Sequence, residues 1–350
     1  MSLLLPLFIA LGATAFMLRV MHPVAELMNL LDKPCHRKQH NGTVPLIGGI
    51  AVFFGVAVAM SSLAEIGFQA RLFLVSSAMM VFIGMLDDKY DLSVKIRLLG
   101  QFIAASVIIF GGELYISNLG NLFGFGVVDM GIAGVVFTYL AVLAAMNAYN
   151  MIDGIDGLLG AMGMVAFFGI AVLAALTAQT QIYIIAMLTG FALIPFLICN
   201  LAISSRYRKV FMGDAGSMFV GLTIVWLLTQ STQPQFTLVD NINPVTSLWV
   251  VAVPIMDMVT IMIRRLRSGR SPTSPDRDHI HHFYLRAGFT ARQTLVILSF
   301  MAVVLAVFGI SLDYLNTPPW ASLVLFLGAY TLYCQQFKFL KKAALAQNNY

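Results

Sequence analysis

Arg71-Leu-Phe-Leu-Val-Ser-Ser-Ala-Met-Met-Val-Phe-Ile-Gly-Met-Leu-Asp-Asp-Lys-Tyr-Asp91 runs uncharged from Leu72 to Leu86 and then places carboxylates at Asp87, Asp88 and Asp91. The uncharged part approaches the ~20 residues that a bilayer-crossing helix needs. Unpaired acids near lipid cost about 2.5–3.5 kcal/mol each, so a cluster of them predicts a cation or a polar cavity. The pattern recurs, with Asp153 and Asp156 following one apolar stretch and Asp214 preceding another. This reading makes the chain an all-α, polytopic membrane protein with a polar site where helices end.

Composition agrees. Of 350 residues 59% are hydrophobic and 11% charged, with mean hydropathy +0.86, which leaves no room for a water-soluble domain. We expect one integral-membrane domain over 1–350. Eleven apolar stretches stand out, roughly 3–21, 46–63, 71–86, 98–111, 131–149, 158–177, 181–199, 215–230, 246–263, 294–312 and 320–337. With eleven crossings, 20 of the 21 Lys and Arg residues fall on one face and Arg71 alone on the other. Basic residues stay preferentially in the cytoplasm, so the N-terminus is expected outside and the C-terminus in the cytoplasm. The first stretch lacks a basic leader and reads as a retained helix rather than a cleaved signal. The net charge of +5 follows from this bias and implies no nucleic-acid partner. Cys35, Cys199 and Cys334 fall at or near the reducing side and are expected as free thiols.

Three more segments carry chemistry. In Asn147-Ala-Tyr-Asn-Met-Ile-Asp-Gly-Ile-Asp-Gly157, Asn150, Asp153 and Asp156 recur every third residue among glycines, with no Lys or Arg to balance them. In Val210-Phe-Met-Gly-Asp-Ala-Gly-Ser217, Asp214 sits between glycines where a span begins. A helix start there offers backbone amides to an anion while Asp214 holds a metal, although capping alone also explains an acid in that place. The last cytoplasmic loop, Arg264-Arg-Leu-Arg-Ser-Gly-Arg-Ser-Pro-Thr-Ser-Pro-Asp-Arg-Asp-His-Ile-His-His282, is rich in arginine and ends in His279, His281 and His282. Those histidines suit phosphate or zinc; with no second Cys/His set, phosphate is preferred. Asp257 lies within the ninth stretch, eight residues before Arg265, where it is either half of a buried pair or a functional acid. Pro195 and Pro254 read as helix kinks.

Taken in order, Gly42-Thr-Val-Pro-Leu-Ile-Gly-Gly49, Asp87-Asp88, Asn150-Met-Ile-Asp-Gly-Ile-Asp-Gly-Leu158, Phe211-Met-Gly-Asp-Ala-Gly-Ser217 and His279-Ile-His-His282 resemble the polyprenyl-phosphate N-acetylhexosamine-1-phosphate transferase family over nearly the whole chain. The histidine loop is most similar to the bacterial branch acting with N-acetylglucosamine. The resemblance implies transfer of N-acetylglucosamine 1-phosphate from UDP-N-acetylglucosamine to undecaprenyl phosphate, with release of UMP. It further implies Mg²⁺ or Mn²⁺, a cytoplasm-facing site in a bacterial inner membrane, and the first membrane step of a cell-surface polysaccharide pathway. Asp214 matches the metal ligand, Phe211 an aromatic stacked on uracil, and Asp87 and Asp88 the acceptor-phosphate pair. Asn150, Asp153 and Asp156 match the motif around nucleotide and metal, and His279, His281 and His282 an element closing on the sugar phosphates.

Arg264 and Arg265 are expected to bind the anionic substrate. Lys38 stands in for a lysine that the muramoyl-pentapeptide branch places nearer its Gly-Thr-Pro motif, where this chain has His40-Asn41. Asn200 is expected to bind substrate too, from farther along the chain than its counterpart. Membrane lipid is the surrounding partner and a homodimer is one admissible assembly. The alternatives are another UDP-N-acetylhexosamine or UDP-MurNAc-pentapeptide as donor. A prenyltransferase also holds Mg²⁺ on aspartate motifs but lacks the Phe-Met-Gly-Asp and His-Ile-His-His pieces. A cation or phosphate transporter would place its acids across the membrane midplane.

Overall fold

The computed structural model describes residues 3–32, 42–203, 208–234, 241–271 and 278–347. Lys38, His40, Asn41 and Asp276 lie outside them. The described chain is helical: α1 (Leu4–Leu27), α2 (Gly48–Ser61), α3 (Phe68–Tyr90), α4 (Val94–Ser106), α5 (Ala133–Ile152), α6 (Leu158–Leu176), α7 (Thr180–Asn200), α8 (Gly213–Thr232), α9 (Pro244–Val250), α10 (Ala252–Arg267), α11 (Ile280–Arg286), α12 (Ala291–Tyr314) and α13 (Pro319–Gln347). α4 runs on into a π-helical turn, Val107–Gly111. A two-residue antiparallel ladder pairs Leu31–Asp32 with Val44–Pro45.

Among the described residues eight helices are long and apolar enough to cross a membrane: α1, α3, α4 with its π turn, α5, α6, α7, α8 and α12. The stretch expected as one span over 246–263 is broken into a pair of helices, α9 and α10, bent by 85°. Pro254 gives the reason, since its missing N–H cannot reach the Val250 carbonyl and its ring crowds that carbonyl. Pro195, by contrast, is accommodated inside an unbroken α7. α2 has only 14 residues.

α8 is the axis of the bundle, its whole apolar window buried, with α2, α3 and α5 around it. Water cannot drive helices together inside lipid, so close backbone approach through small residues does it. Gly49 of α2 lies against the Gly216 backbone, and Gly84 of α3 against that of Ala215. Gly221 of α8 faces α5, where an added Cβ would fall 2.6 Å from the Met146 Cα. The start of α8 is thus pinned between α2 and α3, and the site is built on that end. Large apolar side chains such as Phe8, Phe16, Val296, Phe300 and Val307 remain exposed on α1 and α12, as lipid-facing positions do.

Candidate active site

Asp88 caps the helix that begins at Gly213. Its Oδ1 accepts the Asp214 N–H at 2.8 Å and its Oδ2 the Ala215 N–H at 3.3 Å, satisfying amides that no carbonyl of α8 can reach. Gly213 makes this possible, since its φ is +72° and a Cβ there would collide with the Asp88 carboxylate. Asp87, buried beside it, accepts from the Leu92 N–H at 2.9 Å and from Arg97 Nη1 at 3.2 Å. The same Arg97 nitrogen lies 4.0 Å from Asp214 Oδ2. Asn150 Nδ2 donates to Asp214 Oδ1 and, at 2.9 Å, to Ser217 Oγ. Asp87, Asp88, Asn150 and Asp214 therefore meet from three helices. Asp91 leaves the group: it ends α3 in a left-handed turn with φ 51° and is exposed. Convergence of all three acids of that segment required the helix to continue, and it does not.

A second wall forms where Gly42–Gly49 meets Val210–Met212. The Phe211 N–H donates to the Pro45 carbonyl, the Gly48 N–H to the Phe211 carbonyl and the Gly49 N–H to the Met212 carbonyl, each at 2.9 Å. The glycine-rich segment is thus the splint for Phe211. Lys209 Nζ sits 5.2 Å from the Phe211 ring centroid and 2.6 Å from Asp156 Oδ2. Asp153 is exposed at the end of α5. Asn200 is buried, taking the Gly157 N–H on Oδ1 at 2.5 Å and donating from Nδ2 to the Val210 carbonyl at 2.8 Å. Its polar ends tie the aspartate loop to the phenylalanine strand, so its place here is that of a brace, where direct substrate contact was expected.

The histidine loop closes the third side. His279 Nδ1 lies 2.8 Å from Asp257 Oδ2. His281 is 1% exposed, packs on Gly154 of the aspartate loop, and has no hydrogen-bond partner on either ring nitrogen among the described residues. Burial first, then its neighbours His282 and His279, hold its imidazole well below the ordinary range. In this arrangement His281 is a neutral ring. Arg264 lies over Phe283 and Phe337, 5.0 and 5.3 Å from their centroids, with Nη1 buried and without a hydrogen-bond partner among the described residues. With Arg265, Ser268, Arg270, Ile261 and Asp278 it lines a cleft.

The implied divalent ion fits this chemistry. Asp87 and Asp214 both lie on Arg97 Nη1, at 3.2 and 4.0 Å, and like charges gathered so closely call for a cation. Among the described residues no three His, Cys, Asp or Glu side chains form a ready-made cage. Mg²⁺ takes one or two carboxylates and completes its shell with water and substrate phosphates, so Asp214, with Asp87 beside the same Arg97, would be the residues to hold it.

Two cations of this site were not singled out from sequence. Arg97 reaches Asp87 across the turn between α3 and α4, a separation with no helical period to reveal it. Lys209 did leave a signal, since two residues before Phe211 on an extended segment it shares that residue's face. Tyr333, from α13, joins through Asp257.

Acids, an amide and an arginine thus gather at the start of α8 in an apolar helical bundle. The model of glycosyl transferase family 4 matches residues 70–232. Over 311 residues the chain is 44% identical to the undecaprenyl-phosphate alpha-N-acetylglucosaminyl 1-phosphate transferase of Escherichia coli (strain K12), covering 89% of this chain and 84% of that one. The enzyme of the same name from Yersinia pestis is 44% identical over 328 residues, 93% and 89% of the two chains. That from Haemophilus influenzae is 39% identical over 333 residues, 94% and 92%. The chain belongs to the polyprenyl-phosphate N-acetylhexosamine-1-phosphate transferase family.

Proposed function

We propose that this protein transfers N-acetylglucosamine 1-phosphate from UDP-N-acetylglucosamine to undecaprenyl phosphate, releasing UMP. The observation that carries this reading is the meeting of Asp87, Asp88, Asn150 and Asp214 at the start of α8. The name shared by relatives covering most of the chain supports it.

The reaction joins two anions, and its barrier is largely one of charge and alignment. A phosphate monoester is mostly dianionic at pH 7, with a second pKa near 6, so the acceptor needs orientation more than deprotonation. Asp87 and Asp88 serve that end, with Arg97 screening the repulsion. Asp214 would hold the implied Mg²⁺ or Mn²⁺, which when bound would supply charge neutralisation for the diphosphate. Phe211 offers a face for uracil, with Lys209 fixing the ring and Asp156; Asn150 orients Asp214, and Asp153 stands at the open edge of the aspartate loop. Asn200 fixes both walls. Arg264, Arg265, His279, His281 and His282 close on the donor's diphosphate, and Lys38, a few residues before Gly42 in the sequence, contributes a further cation.

We place the protein in a bacterial inner membrane with eleven crossings, the N-terminus outside and the site on the cytoplasmic face, at the first membrane step of a cell-surface polysaccharide. An impermeant thiol reagent added outside cells should therefore label Phe125→Cys and spare Arg270→Cys, both exposed positions. The activity test supplies labelled UDP-N-acetylglucosamine and undecaprenyl phosphate to the purified protein. Lipid-extractable label and UMP should appear together, vanish with a chelator and return with Mg²⁺. Equal transfer from UDP-MurNAc-pentapeptide, or none from either donor, would overturn the assignment.

A further inference from the structure

The transferase reading leaves Asp257 without a part, although it is 1% exposed in the middle of the chain's bent helix pair. An acid so placed needs its partners identified. Three groups converge on it from two other helices. Oδ1 accepts the Ile280 N–H at 3.0 Å and the Tyr333 O–H at 3.1 Å, while Oδ2 faces His279 Nδ1 at 2.8 Å. Tyr333 is itself 2% exposed and comes from α13.

Counting donors sets the histidine's state. The amide and the phenol already give protons to the carboxylate, which has none to return, so Nδ1 of His279 is the third donor. Its proton is fixed on that nitrogen, and Nε2 is left as the ring's second functional atom. The orientation is passed along the loop: the His279 and His281 rings stack, with centroids 5.6 Å apart and planes 8° apart, and His281 rests on Gly154. The Ile280 N–H bond also makes Asp257 the cap of α11, which carries His281 and His282.

We propose that Asp257 and Tyr333 are positioning residues of the transfer reaction. They set the tautomer and direction of His279 and so aim the His279–His282 segment at the loop bearing Asp153 and Asp156. The C-terminal helix α13 thereby becomes part of the active-site support. The proposal rests on the transferase reading and deepens it.

The test is a double-mutant cycle on the purified full chain with UDP-N-acetylglucosamine and undecaprenyl phosphate. Asp257→Asn keeps the shape but offers an N–H where His279 needs an acceptor. It should lower kcat/KM on the order of 10- to 100-fold, the scale of a charge-assisted hydrogen bond. In the His279→Ala background the same change should cost little more, because the residues act as one unit. Tyr333→Phe, which removes one oxygen, should lower kcat/KM less, with its cost likewise absorbed in that background. Asp257→Glu should recover part of the activity. A purely structural role predicts the opposite: a lower melting temperature, unchanged kcat/KM per folded molecule, and costs that add to His279→Ala. That result, or full activity of Tyr333→Phe where Asp257→Asn cannot be folded, overturns the proposal. An inactive wild-type chain would instead defeat the transferase reading itself.

Discussion

Asp88, on one helix, caps the helix that begins at Gly213 and carries Asp214, taking the Asp214 and Ala215 amides on its two oxygens. One acid thus holds the next in place, and removing it has both a structural and a chemical consequence.

These consequences separate by substitution. Asp88→Asn keeps an acceptor for the Asp214 amide and loses the charge, whereas Asp88→Ala loses both. Lost caps cost about 0.5–2 kcal/mol. Asp88→Ala should melt lower than wild type and Asp88→Asn close to it, while both lose most transferase activity. Normal turnover by Asp88→Asn would reduce the residue to a cap.

Gly84 lies against the Asp214–Ala215 backbone, and the atoms that a new Cβ would strike are all main chain. No rotamer change relieves that clash, so α3 and α8 must part and Asp88 must withdraw. Overpacking of this kind costs typically 1–3 kcal/mol. Gly84→Ala should lower both melting temperature and kcat, while Gly12→Ala, with nothing within 4 Å of its Cβ, should change neither. Equal melting curves for the two variants would show that the contact does not constrain the bundle.

Lys209 joins Asp156 to Phe211, but both partners of the ion pair are about a third exposed or more, so solvent screens it. With the ring contact, its loss amounts to about 1–2 kcal/mol, which is roughly 5- to 30-fold in kcat/KM. Lys209→Met should show that loss mainly as a higher KM for UDP-N-acetylglucosamine, and Lys209→Arg should retain most activity. A selective effect on the lipid acceptor would place Lys209 on the wrong substrate.

The helices were legible because hydrocarbon thickness sets a run length that sequence displays directly, and every apolar stretch contains a helix. The bend between α9 and α10 was visible only as Pro254, which tells that a carbonyl is freed but not how far the chain turns. Asp87, Asp88, Asn150 and Asp214 stood out as uncompensated polar groups among apolar neighbours, and they do assemble. Arg97, Asn200 and Tyr333 acquire their roles through tertiary contacts between distant segments, with no periodicity to announce them. Arginines in particular were masked by the topology signal that they also carry.

His281 supplies a pH test of loop closure. In the closed loop its pKa is held well below the ordinary value, whereas a solvent-exposed histidine titrates near 6.5. Above about pH 6.5 neither the closed nor the open ring binds a proton, and closure carries no penalty from this group. As pH falls below that value the open loop takes up a proton that the closed loop refuses, so closure weakens progressively toward the lowered pKa. Amide exchange across α11, corrected for its intrinsic pH dependence, should accordingly accelerate from pH 7 to 5 in the wild type. In His281→Gln, which cannot titrate there, that acceleration should shrink. Unchanged protection in the wild type across this range would mean that His281 is not buried as a neutral ring in solution, and the closed loop would have to be redrawn.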